Sequence, residues 1–208
     1  MSVESYKALT KVPERDAPLV FAFHGTGGDE QQFFGLAQEL VPGAGVISPR
    51  GDVSEMGAAR FFRRTGEGVY DMHDLARATA KMASFVEAWK ERYPDRPVYG
   101  FGYSNGANIL ASVMMARPDL FDRVALLHPL VPWEPASVSG LKGRQVLITA
   151  GRHDPICPWP MTERLVSWFK AQGAQLATSY HDGGHEMRRE ELAAMAQLLR
   201  AHPRADAA

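Results

Sequence analysis

Six short, nearly unbroken apolar runs alternate with longer stretches of helical pattern, and this alternation restricts the chain to few folds. The runs lie at 19–23, 45–48, 98–102, 124–128, 146–150 and 175–180. Most lack the polar alternation of a half-exposed strand, as expected for strands covered on both faces. Helical patterns fall at about 30–41, 71–92, 105–116, 160–172 and 187–201. Asp71 and Asp74 suit a helix start, where carboxylates favour free N–H groups, and Gly173 suits a helix stop. The pattern predicts an α/β fold: a mostly parallel central sheet with helices on both faces. No internal repeat interrupts it, and 208 residues suffice for one domain over 1–208, with 1–17 and 202–208 as tails.

In such sheets, ligands bind at the carboxyl ends of the strands. The residues just after each run therefore hold the chemistry. They are His24-Gly25-Thr26-Gly27-Gly28, Ser104-Asn105, His128-Pro129, Gly151-Arg152-His153-Asp154 and Asp182-Gly183-Gly184-His185.

Gly102-Tyr103-Ser104-Asn105-Gly106 has the G-x-S-x-G form of a nucleophile elbow between a strand and a helix. A tight turn with a capping serine gives the same five letters. The spacing of Gly100, Gly102 and Gly106 does not fit a dinucleotide fingerprint. A serine nucleophile needs a base, and the base needs an orienting acid, in the chain order Ser, Asp or Glu, His. Of seven histidines, His24 and His73 precede Ser104 and His202 lies in the tail. His128 comes too early for an acid on an intervening strand end, and His153 adjoins its aspartate in sequence. His181 and His185 remain. His185, in a glycine-rich loop entering a helix, is favoured over His181 at a strand end. Asp154, four residues past Ala150 and fixed by Pro155, is the favoured acid. Its rival Asp182 suits turn chemistry with Gly183.

Acyl transfer also needs N–H donors for a developing oxyanion. The backbone N–H of Asn105 offers one, and one near Thr26, in the turn 24–28, offers the other. His24 reads as a brace for that turn. The turn lacks the lysine of a phosphate-binding P-loop.

The blocks FHGTGGDE, SPRGDVSEMGAARFFRR, EGVYDMHDL, GYSNGAN, AGRHDPICP and GGHEM resemble the bacterial phospholipase/carboxylesterase family of α/β-hydrolases, relatives of acyl-protein thioesterases. Members linked to hydroquinone and aromatic-compound metabolism look closest. The resemblance covers residues 19 to about 200. It implies Ser104, Asp154 and His185 as triad and Thr26 and Asn105 as oxyanion donors, and a homodimer is compatible with it. The activity expected is serine carboxylesterase action on small to medium esters. The alternatives are thioesterase or lysophospholipase action on longer acyl chains, and a non-catalytic binding protein.

Only residues 129–145 separate two of the runs where larger hydrolases insert a cap, so a minimal form without a cap domain is expected. Leu130, Val131 and Trp133 are placed to line an apolar wall. The segment 49–70 is placed to fold over the cleft, with Phe61 and Phe62 as substrate contacts or as core. Arg63 or Arg64 reads as an anion ligand or as a surface ion pair. Met72 and His73 read as a helix start.

The chemistry inferred here needs no metal and no organic cofactor. The single cysteine, Cys157, leaves no Cys-x-x-Cys pair and no intrachain disulfide. A net charge of -1 argues against a nucleic-acid partner. MSVESYKALTKVPERDAP lacks a secretory signal pattern, and no run has the ~18 apolar residues that span a bilayer. A cytoplasmic protein without membrane insertion is expected.

Overall fold

The computed structural model describes residues 2–200. Seven strands form one sheet. They are β1 (Ala8–Lys11), β2 (Leu19–Phe23), β3 (Gly45–Pro49), β8 (Val98–Tyr103), β9 (Arg123–Leu127), β10 (Gln145–Gly151) and β11 (Gln175–His181). Their order is β1-β3-β2-β8-β9-β10-β11, with β1 antiparallel to β3 and every other pair parallel. Five helices pack on the sheet: α1 (Phe34–Leu40), α2 (Met72–Arg92), α3 (Asn105–Ala116), α4 (Trp159–Ala171) and α5 (Arg189–Arg200).

The unbroken apolar runs now have a physical cause. In β2, Leu19, Phe21 and Phe23 enter a core shared with α2, α3 and α4, while Val20 and Ala22 enter a second core with α1 and α5. Alternate side chains point to opposite faces, so a strand with helices on both sides must be apolar at every position. Asp71 caps α2 by accepting a hydrogen bond from the Asp74 N–H. Met72 and His73 stand exposed at the start of that helix.

Residues 1–17, expected as a tail, contain β1, and the Tyr6 side chain is buried against Phe85. An edge strand with one solvated face carries polar residues, so β1 shows no continuous apolar run. Lys7 adds an ion pair to buried Glu30. The expected tail 202–208 lies outside the described residues.

Segment 49–70 folds as two small hairpins, β4 (Val53–Glu55) with β5 (Ala58–Arg60) and β6 (Arg64–Gly66) with β7 (Val69–Tyr70). Residues 128–144 hold no helix or strand, so no cap domain covers the sheet edge there. No helix among the described residues is long and apolar enough to cross a membrane.

Truncating a buried aromatic removes its transfer free energy and leaves a cavity. Tyr6→Ala is expected to lower unfolding free energy by about 3 kcal/mol, read from urea denaturation. A change within experimental error would show that the N-terminal segment is not part of the core.

Candidate active site

The carboxyl ends of β8, β10 and β11 bring Ser104, Asp154 and His185 together. Ser104 Oγ lies 2.9 Å from His185 Nε2, and His185 Nδ1 lies 2.7 Å from Asp154 Oδ2. Asp154 Oδ1 accepts from the Ile156 and Cys157 N–H groups at 2.8 and 2.9 Å. Burial opposes the carboxylate's charge, but hydrogen bonds from His128, His185 and the Cys157 N–H outweigh it and hold the acid well below the usual range.

Ser104 has φ 52° and ψ −117°, a backbone conformation that L residues seldom adopt. The flanking glycines explain how the turn closes. A Cβ on Gly102 would stand 2.5 Å from the Gly106 carbonyl carbon, and one on Gly106 would stand 2.3 Å from the Phe23 oxygen. Backbone lies against backbone at both points, so no side chain fits.

The turn after β2 faces Ser104. Thr26 and Asn105 both line the cleft, and neither backbone N–H has a partner among the described residues. The side chain of Asn105 is engaged elsewhere, since its Oδ1 accepts from the Phe61 N–H at 2.8 Å. His24 braces the turn. Its Nδ1 donates to the Gly25 oxygen and its Nε2 accepts from the Gly51 N–H. Burial, which opposes a charge on the ring, lowers its pKa, and these roles need the neutral tautomer.

The cleft has a volume of about 300 Å³ and is open at the surface. Leu130 lines it, as expected. Phe61, Phe62, Arg63 and Trp133 do not, and their reading as substrate contacts is corrected. Phe61 and Phe62 are fully buried, Phe61 against Phe23 and His24 and Phe62 against Tyr70. Arg63 is exposed, and its backbone N–H is tied to Asp74. Trp133 lies beside Tyr70 and lines a separate groove with Met161 and Trp168.

Arg60, Arg64 and Tyr103 line the cleft instead. Arg60 is buried, and its Nη1 donates to Thr26 Oγ1 at 2.8 Å. Both guanidiniums pair with Glu55, while Glu67 also lines the cleft, so two cations are matched by two carboxylates. Tyr103 donates its hydroxyl to the His185 oxygen at 2.5 Å and its ring packs against the His185 ring, tilted by 36°. Burial, with Asp154 nearby, pushes its pKa up to about 12, so it remains a donor at neutral pH.

Sequence reasoning missed a second histidine on Asp154. His128 Nδ1 lies 2.9 Å from the same Oδ2 that accepts from His185. Its Nε2 lies 3.0 Å from Glu191 Oε1, and Glu191 Oε2 lies 3.2 Å from His181 Nε2. The rival base His181 is thus buried at the end of β11, facing Glu191 rather than Ser104. Asp182 is exposed, 3.5 Å from Arg152. The cluster His128, His181 and Glu191 is close enough for a metal ion. His181 Nδ1, however, accepts from the Gly183 N–H, which leaves the proton on Nε2 facing Glu191. A ligand set needs that lone pair free, so these residues fit a chain of ion-pair contacts better than a metal centre.

No protein-family model matches the chain. It is 35% identical over 175 residues to a Bacillus subtilis (strain 168) protein described as "Putative hydrolase MhqD", covering 83% of this chain and 88% of that one. Among solved structures it resembles the protein Atu2452 of unknown function from Agrobacterium tumefaciens str. C58. The identity is 53%, the TM-score 0.92, and the match covers 96% of this chain and 98% of the other. It also resembles the Bacillus cereus carboxylesterase at 32% identity and TM-score 0.88, with 93% of each chain covered.

The close backbone approach at Gly106 gives a direct test of the turn. Gly106→Ala must push α3 away from β2, and is expected to cost about 2 kcal/mol in urea denaturation. An unchanged midpoint would contradict the packing described.

Proposed function

Because this chain belongs to the α/β-hydrolase superfamily, within the bacterial phospholipase/carboxylesterase family, and is a carboxylic ester hydrolase, we propose that Ser104, His185 and Asp154 cleave small to medium carboxylic esters. The observation that carries this reading is the continuous contact from Ser104 Oγ through His185 to Asp154, on a serine with a strained backbone.

With Nδ1–H donated to Asp154, the free lone pair of His185 faces the serine hydroxyl. As Ser104 Oγ bonds to the ester carbonyl carbon, its proton passes to His185 Nε2. The carbonyl oxygen becomes an oxyanion against the N–H groups of Thr26 and Asn105. Collapse of the tetrahedral intermediate breaks the bond to the alcohol oxygen, which takes the proton from His185. Water then attacks the acyl-serine with His185 again as base, releasing the acid and restoring Ser104. Asp154 stays ionised throughout and stabilises the imidazolium.

The cleft's size favours a compact ester, since about 300 Å³ is at the small end of ligand sites. The pairing of Arg60 and Arg64 with Glu55, and Glu67 at the rim, favours a neutral substrate over a multiply charged one. Leu130 and Ile156 supply the apolar contacts.

Ser104→Ala is expected to lower p-nitrophenyl butyrate hydrolysis by at least about 10⁴-fold and to abolish labelling by a fluorophosphonate. Retained activity would sink the reading. In a series of p-nitrophenyl esters, kcat/KM is expected to peak at acetate or butyrate. A rise toward decanoate and palmitate would favour the thioesterase or lysophospholipase alternative.

Arg60→Met severs the tether to Thr26 without touching the triad. It is expected to lower kcat by about 10-fold or more while Ser104 still reacts with the fluorophosphonate. Full kcat would show that the tether does not position the oxyanion loop.

A further inference from the structure

The active-site chain does not stop at Asp154, and its buried continuation carries charges that the triad alone does not require. His128 is fully buried and so is Glu191. His128 is faced by Tyr103 from β8, Asp154 from the loop after β10, His181 from β11, His185 from the following loop and Glu191 from α5. Its two nitrogens stand 2.9 Å from one carboxylate and 3.0 Å from another. The Nδ1 contact is a directed hydrogen bond. The Nε2 contact is an ion pair whose N–H is not aimed squarely at the oxygen.

A neutral His128 would turn a lone pair toward one of these carboxylates unless that carboxylate were protonated. Both acids have reason to stay ionised. Asp154 accepts from two ring N–H groups and two backbone N–H groups, which fills its acceptor sites. Glu191 Oε2 accepts from the Arg188 N–H at 2.7 Å and faces the protonated Nε2 of His181. His128 also has φ 49°, a left-handed backbone at a non-glycine residue, held by its N–H bond to the Thr149 oxygen.

We propose that His128 is a positioning residue that stands as a buried imidazolium between Asp154 and Glu191, holding Asp154 against His185 and keeping His185 free to accept the Ser104 proton. This rests on the reading of Ser104, His185 and Asp154 as the triad. The charge count explains the need. With His128 charged and His185 neutral, Asp154, His128 and Glu191 sum to one negative charge. With His128 neutral they sum to two, close beside His185. The cation on His128 offsets one of the two carboxylate charges beside His185, the ring that has to present a lone pair to Ser104. Glu186 lies farther out, exposed and paired with Arg188, and does not alter the count.

Burial opposes the charge on His128, but the hydrogen bond to Asp154 and the contact with Glu191 outweigh it and hold the ring up to about 9. The sign follows. The imidazolium is present at neutral pH and is lost as pH rises through about 9.

The direct test needs no turnover. In wild-type protein carrying ¹⁵N-labelled histidine, one ring is expected to keep both protons at pH 8. It is identified as His128 by its loss in His128→Gln. Seven neutral rings at pH 8 would overturn the proposal. In the same variant the acid limb of the kcat/KM–pH profile is expected to move up by about one pH unit, because the positive charge beside the Asp154–His185 pair is gone. A limb that stays in place while the rate falls would reduce His128 to a packing role. Should that variant fail to fold, Glu191→Gln serves. There the persistent imidazolium is expected to lose its proton at lower pH than in wild type, and an unshifted titration counts against the proposal. Fluorophosphonate labelling keeps the two readings apart. Its failure at Ser104 sinks the triad, whereas labelling without a buried imidazolium sinks only the role of His128.

Discussion

The carboxylate of Asp154 is the contact on which the rest of the site depends. Four N–H groups converge on it, two from backbone and two from imidazole rings, so neither oxygen has acceptor capacity left for a competing group. Oδ1 is held by the turn that carries Asp154 itself, through Ile156 and Cys157. Oδ2 is shared between His128 and His185, which arrive from opposite sides of β10. The acid is therefore fixed by its own loop before either histidine reaches it. A fixed carboxylate sets the tautomer of His185, and the tautomer decides which nitrogen faces Ser104. Tyr103 completes the restraint by bonding the His185 backbone oxygen and packing its ring against the His185 ring.

The two hairpins of segment 49–70 act on the other half of the site. Three contacts run from the β4–β5 hairpin and the residues after it to the elbow and the facing turn. Arg60 donates to Thr26, the Gly27 N–H donates to the Ala59 oxygen, and the Phe61 N–H donates to Asn105. Phe61 and Phe62 anchor this segment in the core, fully buried. The segment thus braces the turn as well as lining the cleft, and Arg60 and Arg64 are engaged with Thr26 and Glu55. A brace built from buried aromatics suits a site whose donors must be in place before charge develops, because donors that have to reorganise give back part of their stabilisation.

The main frame was legible in the sequence because burial on both faces leaves a strong trace. The continuous apolar runs at 19–23 and 124–128 match β2 and β9 to within a residue, and the helical pattern at 105–116 coincides with α3. Ser104, Asp154 and His185 could be singled out because each follows such a run, and a parallel sheet gathers strand ends at one edge. What stayed hidden depends on pairings between distant segments or on half-exposed surface. β1 carries polar residues because it is an edge. Arg60 meets Thr26 across 34 positions and Tyr103 meets His185 across 82, and local pattern records neither contact. Phe61 and Phe62 could be read as core or as cleft from sequence, and only packing decided it. Chain order excludes His128 as the base, because no strand end with an acid lies between it and Ser104. Its partner Glu191 lies on α5, in a helix start that reads as an ordinary acidic first turn.

The same device supports both strained residues of the site. Ser104 and His128 each follow a central strand directly, and each has a left-handed φ. Such a conformation costs on the order of 1–3 kcal/mol at a non-glycine residue and persists only where surrounding structure over-determines it. Here the sheet supplies that restraint. The Ser104 N–H bonds the Leu127 oxygen at 2.9 Å, and the His128 N–H bonds the Thr149 oxygen at 3.0 Å. The inter-strand ladder thus runs one residue past the end of β8 and of β9, and the chain turns sharply only after that last bond is made. The abrupt turn throws both side chains toward Asp154 from neighbouring strands, Ser104 through His185 and His128 directly. A looser exit from either strand would relieve the strain, but it would also carry the side chain away from the carboxylate that all of them share. The strain and the convergence of the site therefore have one origin, the extension of parallel pairing to the last residue that can still make it.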